Sequence, residues 1–125
     1  MRFAVPRAEL PRFDVGPAGS YARILNGQQH ELPSVSLMLA ELQPGEGPGW
    51  HRHAYDEVFA ICEGSATFLI DQATIPADNG QVVLVPAGTP HRFFNSGETI
   101  LRLTAVHVAP RVDIEWLDEP PLAAS

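Results

Sequence analysis

Twelve prolines and ten glycines cut this 125-residue chain into short apolar runs. None carries the 3.6-residue period of an amphipathic helix over a useful length. Punctuation of this kind favours many short strands closed into a sandwich or barrel, so the fold class expected is all-β. Residues 34–42, 57–64, 65–71, 81–88, 91–95 and 99–110 read as strands. Glu63-Gly64, Asp78-Asn79-Gly80 and Asn95-Ser96-Gly97 supply turn chemistry, because glycine and asparagine take positive φ at small cost. Helix is expected only as a single turn near Arg7–Leu10 or around Trp116. The length suits one domain. Residues 34–112 form its barrel, 1–33 an irregular N-terminal extension that can supply an interface strand, and 113–125 a tail that frays from Asp118 onward.

Charge and composition remove several classes of function. The net charge is −7, lysine is absent, and all eight cations are arginines scattered singly along the chain. Such a chain offers no basic patch for nucleic acid. Cys62 is the single cysteine, so no internal disulfide can form, and a reducing, cytoplasmic setting is expected. The N-terminus lacks the apolar core of a signal peptide, and no apolar run approaches membrane-spanning length.

The chemistry gathers at 45–64, "GEGPGWHRHAYDEVFAICEG". On a strand, His51 and His53 point to one face, about 6.6 Å apart along the backbone, and Arg52 points to the other. Glu57 lies roughly 20 Å from His51 along an extended chain, so the chain must reverse between them. Ala54-Tyr55-Asp56 reads as a short hairpin loop that brings Glu57 back beside the histidines. His91, opening "HRFFN", is a long-range fourth candidate. Three imidazoles and a carboxylate suit a divalent transition metal and leave coordination positions open. Spacing alone leaves the plainer alternatives standing: His51 and His53 as surface residues, and His91 as a hydrogen-bonded histidine beside a turn.

Two longer patterns reduce that ambiguity. Gly45, His51, His53, Glu57 and Gly64 have the spacing glycine, five residues, HxH, three residues, glutamate, six residues, glycine. Gly80, Pro86, Gly88, His91 and Asn95 have the spacing glycine, five residues, PxG, two residues, histidine, three residues, asparagine. Together they resemble the two motifs of the cupin superfamily, over residues 45–95. The short separation, residues 65–79, resembles that of single-domain cupins. The resemblance implies a double-stranded β-helix, or jelly-roll, barrel. It implies one divalent ion (iron, manganese, nickel, zinc or copper) per subunit on His51, His53, Glu57 and His91. It also implies a homodimer that packs or exchanges edge strands.

Alternation then sorts the remaining candidates. With Glu57 and His91 inward, Phe59, Ile61 and Phe93 face inward too, either as pocket wall or as core. Trp50 sits at the pocket mouth or on the outer face. Tyr55 is a rim proton donor or a solvated turn residue. His107 is a general base near the pocket or a hydrogen-bonded structural histidine. Cys62 faces away from the ligands and is expected to be a buried small hydrophobe. His30 is expected at the surface or a subunit contact, and Asn95 is expected to cap its turn.

The function expected is that of a metal-dependent enzyme of oxygenase, isomerase, decarboxylase or lyase type acting on a small organic molecule. The alternative is a non-catalytic module that binds or senses a small ligand. A sugar-phosphate isomerase is disfavoured by the missing lysines, since phosphate needs converging cations.

Overall fold

A computed structural model describes residues 1–121. Eleven strands form two antiparallel sheets, and the described residues contain no α-helix. The strands are β1 (Arg12–Asp14), β2 (Tyr21–Leu25), β3 (Ser36–Leu42), β4 (His51–Arg52), β5 (Glu57–Glu63), β6 (Ser65–Ile70), β7 (Ala73–Asp78), β8 (Val82–Val85), β9 (His91–Asn95), β10 (Leu101–His107) and β11 (Glu115–Trp116). One sheet runs β1-β2-β3-β10-β5-β8 and the other β11-β4-β9-β6-β7. From β3 onward the chain changes sheets at every step except the β6–β7 hairpin, which is the jelly-roll winding.

Each crossing is set by local chemistry. β5 passes to β6 through Gly64 alone, at φ 90°. A Cβ there would meet the Ile100 carbonyl oxygen at 2.7 Å, so glycine is required twice over. Asn95 closes its turn as expected. Its Oδ1 accepts from Gly97 N at 2.9 Å, and its Nδ2 donates to the carbonyls of Leu42 and Thr99, both at 2.8 Å. Pro76 lies within β7, which is the outermost strand of its sheet, where a missing N–H costs no ladder bond.

Alternate residues of both sheets meet in one core. Its centre is an aromatic triad: Phe59 from β5, Phe68 from β6 and Phe93 from β9, with ring centroids 4.9 to 5.2 Å apart. Ile61 belongs to this core.

Several expectations change. Residues 1–33 supply β1, β2 and two 3₁₀ turns, Arg7–Glu9 and Gly27–His30. β1 is short and mostly polar, and β2 lies among the glycines and prolines of the extension, yet β3 provides β2 a ready partner in full register from Tyr21↔Glu41 to Leu25↔Leu37. His30 is half-buried. Residues around Trp116 form strand β11, not a helical turn, because β4 offers an open edge. Ala54-Tyr55-Asp56 is not a hairpin: β4 and β5 belong to different sheets. Cys62 faces away from the site but is exposed, since the outer face of β5 is uncovered. The singly scattered arginines do not stay apart: Arg7, Arg12 and Arg23 surround the Tyr21 ring at 4.1 to 6.0 Å. The frayed tail falls partly on 122–125, outside the described residues. Among the described residues no helix is long and apolar enough to cross a membrane.

Phe68 is fully buried in the triad. Phe68→Ala should lower the unfolding free energy by about 3–5 kcal/mol, measured by urea denaturation. A loss below about 1 kcal/mol would place the main core elsewhere.

Candidate metal centre

The two sheets bring His51, His53, Glu57 and His91 together. One ligand atom from each lies within 4.8 Å of all the others, and all four residues are buried. Register does most of this. His51 on β4 sits directly opposite His91 on β9, with ring centroids 4.2 Å apart. Glu57 on β5 enters from the facing sheet. His53, just past the end of β4, completes the group.

Every imidazole of the set is oriented by the backbone. Nδ1 of His51 lies 2.8 Å from the Gly49 carbonyl, that of His53 2.7 Å from the Asp113 carbonyl, and that of His91 2.9 Å from the Thr89 carbonyl. A carbonyl only accepts, so each Nδ1 carries the hydrogen, and each ring in its neutral form presents a bare Nε2 lone pair. Two of those Nε2 atoms meet Glu57: its Oε1 lies 3.0 Å from His91 Nε2 and 3.2 Å from His53 Nε2. The approach to His53 is close but not aligned for a hydrogen bond, and His53 Nε2 is left without a partner.

Lone pairs converging on a carboxylate repel one another unless a cation sits among them. The donor set therefore fits a divalent metal, with Nε2 as the ligating atom and Nδ1 held by the carbonyls. Protonation states agree. Burial would raise the Glu57 carboxyl, but His107, His53 and His91 around it hold it well below the usual carboxylate range. Burial, with His91 beside it, pushes His51 down to about 4. At neutral pH both are in the forms that ligate. Burial also opposes a charge on His53, but Glu57 and the Asp113 carbonyl outweigh it and hold that imidazole above its ordinary value.

A fourth histidine lies behind the set. His107 on β10 is directly opposite Glu57 and fully buried, with Nε2 2.9 Å from Glu57 Oε2. Its Nδ1 is 2.7 Å from the Tyr55 hydroxyl. That hydroxyl also contacts the Asp113 carbonyl at 3.1 Å and accepts from Asp113 N at 3.0 Å. Burial pushes the Tyr55 phenol up to about 12, so it stays protonated. The Asp113 carbonyl thus serves both His53 and Tyr55, closing a loop of contacts from one candidate ligand to another. Neither residue is free to move into the cavity, and Tyr55 is not a solvated turn residue.

The site opens on a cavity of about 610 Å³ whose wall includes His51, His53 and Glu57. Phe59 and Phe93 line it. Ile61 and Trp50 do not: Ile61 is core, and Trp50, half-buried, is absent from the wall. Trp116 lines it instead, its ring 5.3 Å from that of His51. Residues 113–117 are pinned, not loose. Arg52 and Glu115 pair bidentately at 2.8 and 2.9 Å, Leu117 N donates to Trp50 O at 3.0 Å, and Val112 N donates to Asn26 Oδ1 at 2.8 Å. Nothing in the local pattern of the tail announced these roles, because all of them depend on partners 60 to 86 residues away.

The Cupin domain family matches residues 38–107. The chain belongs to the cupin family. Among its relatives, Protein SchB of Streptomyces halstedii is 34% identical over 121 residues, covering 90% of this chain and 87% of that protein. Polyketide synthase CurC of Streptomyces cyaneus is 34% identical over 73 residues, covering 58% of this chain and 47% of that protein. The structure of Bacillus subtilis oxalate decarboxylase, a protein with Mn(II) centres, superposes with a TM-score of 0.75 at 18% identity. That match covers 84% of this cupin but only 30% of the decarboxylase chain, and it shows the fold alone.

Tyr55→Phe deletes one hydroxyl and leaves Asp113 N and His107 Nδ1 unpaired. It should cost about 1–3 kcal/mol in a urea titration and raise amide exchange across 113–117. Unchanged protection there would show that the segment is held without Tyr55.

Proposed function

We propose that this cupin holds one divalent transition-metal ion on His51, His53, Glu57 and His91 and uses it to act on a small organic molecule admitted by the adjoining cavity. One observation carries the reading: three imidazoles, each with Nδ1 fixed to a backbone carbonyl, and one buried carboxylate bring a ligand atom apiece within 4.8 Å of one another. When bound, such an ion supplies Lewis-acid or redox chemistry at its open positions. The chain's own residues hold the ligands in place, keep Glu57 ionised and exclude bulk water with apolar walls. Affinity order favours copper or zinc, and availability can favour iron, manganese or nickel; the manganese of oxalate decarboxylase is a precedent within the same fold.

Beyond the metal set, Asp14 is the only ionisable group on the cavity wall among the described residues. His107 and Tyr55 are engaged behind the site, and we assign them to positioning Glu57 and His53, not to general acid–base work. A wall poor in proton-transfer groups favours oxygenase-type chemistry over isomerase, lyase or decarboxylase chemistry. The same feature supports the second reading, a module that binds a small ligand without turnover.

His53→Ala should abolish stoichiometric metal in purified protein, measured by elemental analysis, while the circular-dichroism spectrum stays native. Full occupancy in that variant would reject the ligand set. His107→Leu should weaken metal binding about 10- to 100-fold by calorimetry, and His107→Gln, which keeps a donor toward Glu57, should recover most of it. Equal affinities in the two variants would remove the positioning role.

We also propose that the chain is a homodimer. β8 is an unpaired edge strand with Val82 and Leu84 at 60% and 68% exposure, an arrangement that a second copy would cover. Leu84→Glu should then yield a monomer in light scattering at micromolar concentration; an unchanged dimer would move the interface elsewhere.

A further inference from the structure

The cavity wall is assembled from two sources. The family match at 38–107 contains the whole candidate metal set. Six wall residues between Phe13 and Asn26 and three between Val112 and Trp116, nine of 22, lie outside that match. The flanking segments thus build much of what a ligand would touch.

Their chemistry is one-sided. No arginine lines the cavity, and the chain has no lysine. Asp14, the one ionisable wall residue outside the metal set, is negative and lies 3.5 Å from Arg12. A compact dianion such as oxalate would find one cation at most, at the metal. Its far carboxylate would be desolvated against apolar or anionic wall with no partner, which is costly. About 610 Å³ is also far more room than such a molecule fills, and it lies in the range of drug-sized ligands.

The aromatic residues point the other way. Phe59 and Phe93 form the deep wall and are almost fully buried. Phe13 and Trp116 also belong to the wall, yet they are 51% and 60% exposed, which puts them at the mouth. They come from the outermost strands of the two sheets, β1 and β11. An exposed phenyl and an exposed indole beside an apolar cavity leave large ring surfaces in water that a bound ring compound would cover.

We propose that the ligand of this cupin is a neutral or singly charged ring compound of about naphthalene size or larger. It has one oxygen function toward His51, His53 and Glu57 and its apolar rings against Phe13 and Trp116. Phe13 and Trp116 set specificity. Only the placement of the oxygen end rests on the metal reading; the ring selectivity stands on the wall itself.

The test is calorimetry of 2-naphthol and of oxalate with the full chain, both metal-loaded and after chelation, together with elemental analysis. The loaded protein should bind 2-naphthol in the micromolar range and oxalate at least a hundredfold more weakly. Phe13→Ala and Trp116→Ala should each weaken 2-naphthol about tenfold with metal content unchanged, and Phe13→Tyr should restore it. Oxalate binding as tightly as 2-naphthol, or naphthol affinity indifferent to both alanine variants, would overturn the proposal. Naphthol binding that depends on Phe13 and Trp116 in a protein that retains no metal would sink the metal reading while upholding this one.

Discussion

A buried carboxylate ringed by imidazole nitrogens cannot sit comfortably without positive charge beside it. Glu57 is 2% exposed, and its oxygens face His53, His91 and His107 at about 3 Å. An uncompensated charge so far from water costs several kcal/mol or more. Protons can supply part of the compensation, as the raised His53 shows. A divalent ion supplies it without requiring His51, His53 or His91 to change tautomer, because backbone carbonyls already hold their Nδ1 hydrogens.

The architecture is arranged to impose that geometry. His51 and His91 are cross-strand neighbours in one sheet, and Glu57 and His107 are cross-strand neighbours in the other. The distance between the sheets is set by the Phe59, Phe68 and Phe93 triad next to the site. Gly47 lets the approach loop lie against β9: a Cβ there would stand 2.0 Å from the Phe93 carbonyl oxygen. Core packing and ligand placement are consequently one problem, solved by the same residues.

Much of this was legible in the amino-acid order. Short apolar runs between turn residues identify β3, β5, β6, β8, β9 and β10, and the two spaced motifs pick out the four side chains that converge. The illegible parts share one cause. β1, β2, β4, β7 and β11 are short or weakly apolar, or carry proline, and they exist because a neighbouring edge was available. The carbonyls of Gly49, Thr89 and Asp113 carry no side-chain signature at all. Trp116 stands where Trp50 was expected, at the cavity mouth, because a two-residue pairing with β4 sets it opposite His51. His107 was recognised as an inward-facing residue, but only the β5–β10 register reveals that Glu57 is its partner.

The carbonyl that orients His53 belongs to Asp113, sixty positions further along the polymer. Until residue 113 has been made, nothing holds the Nδ1 of His53, and β4 lacks its β11 partner. During this interval the His53 ring is free to adopt either tautomer and to rotate. Maturation of the centre therefore waits on the segment that brings β11 against β4.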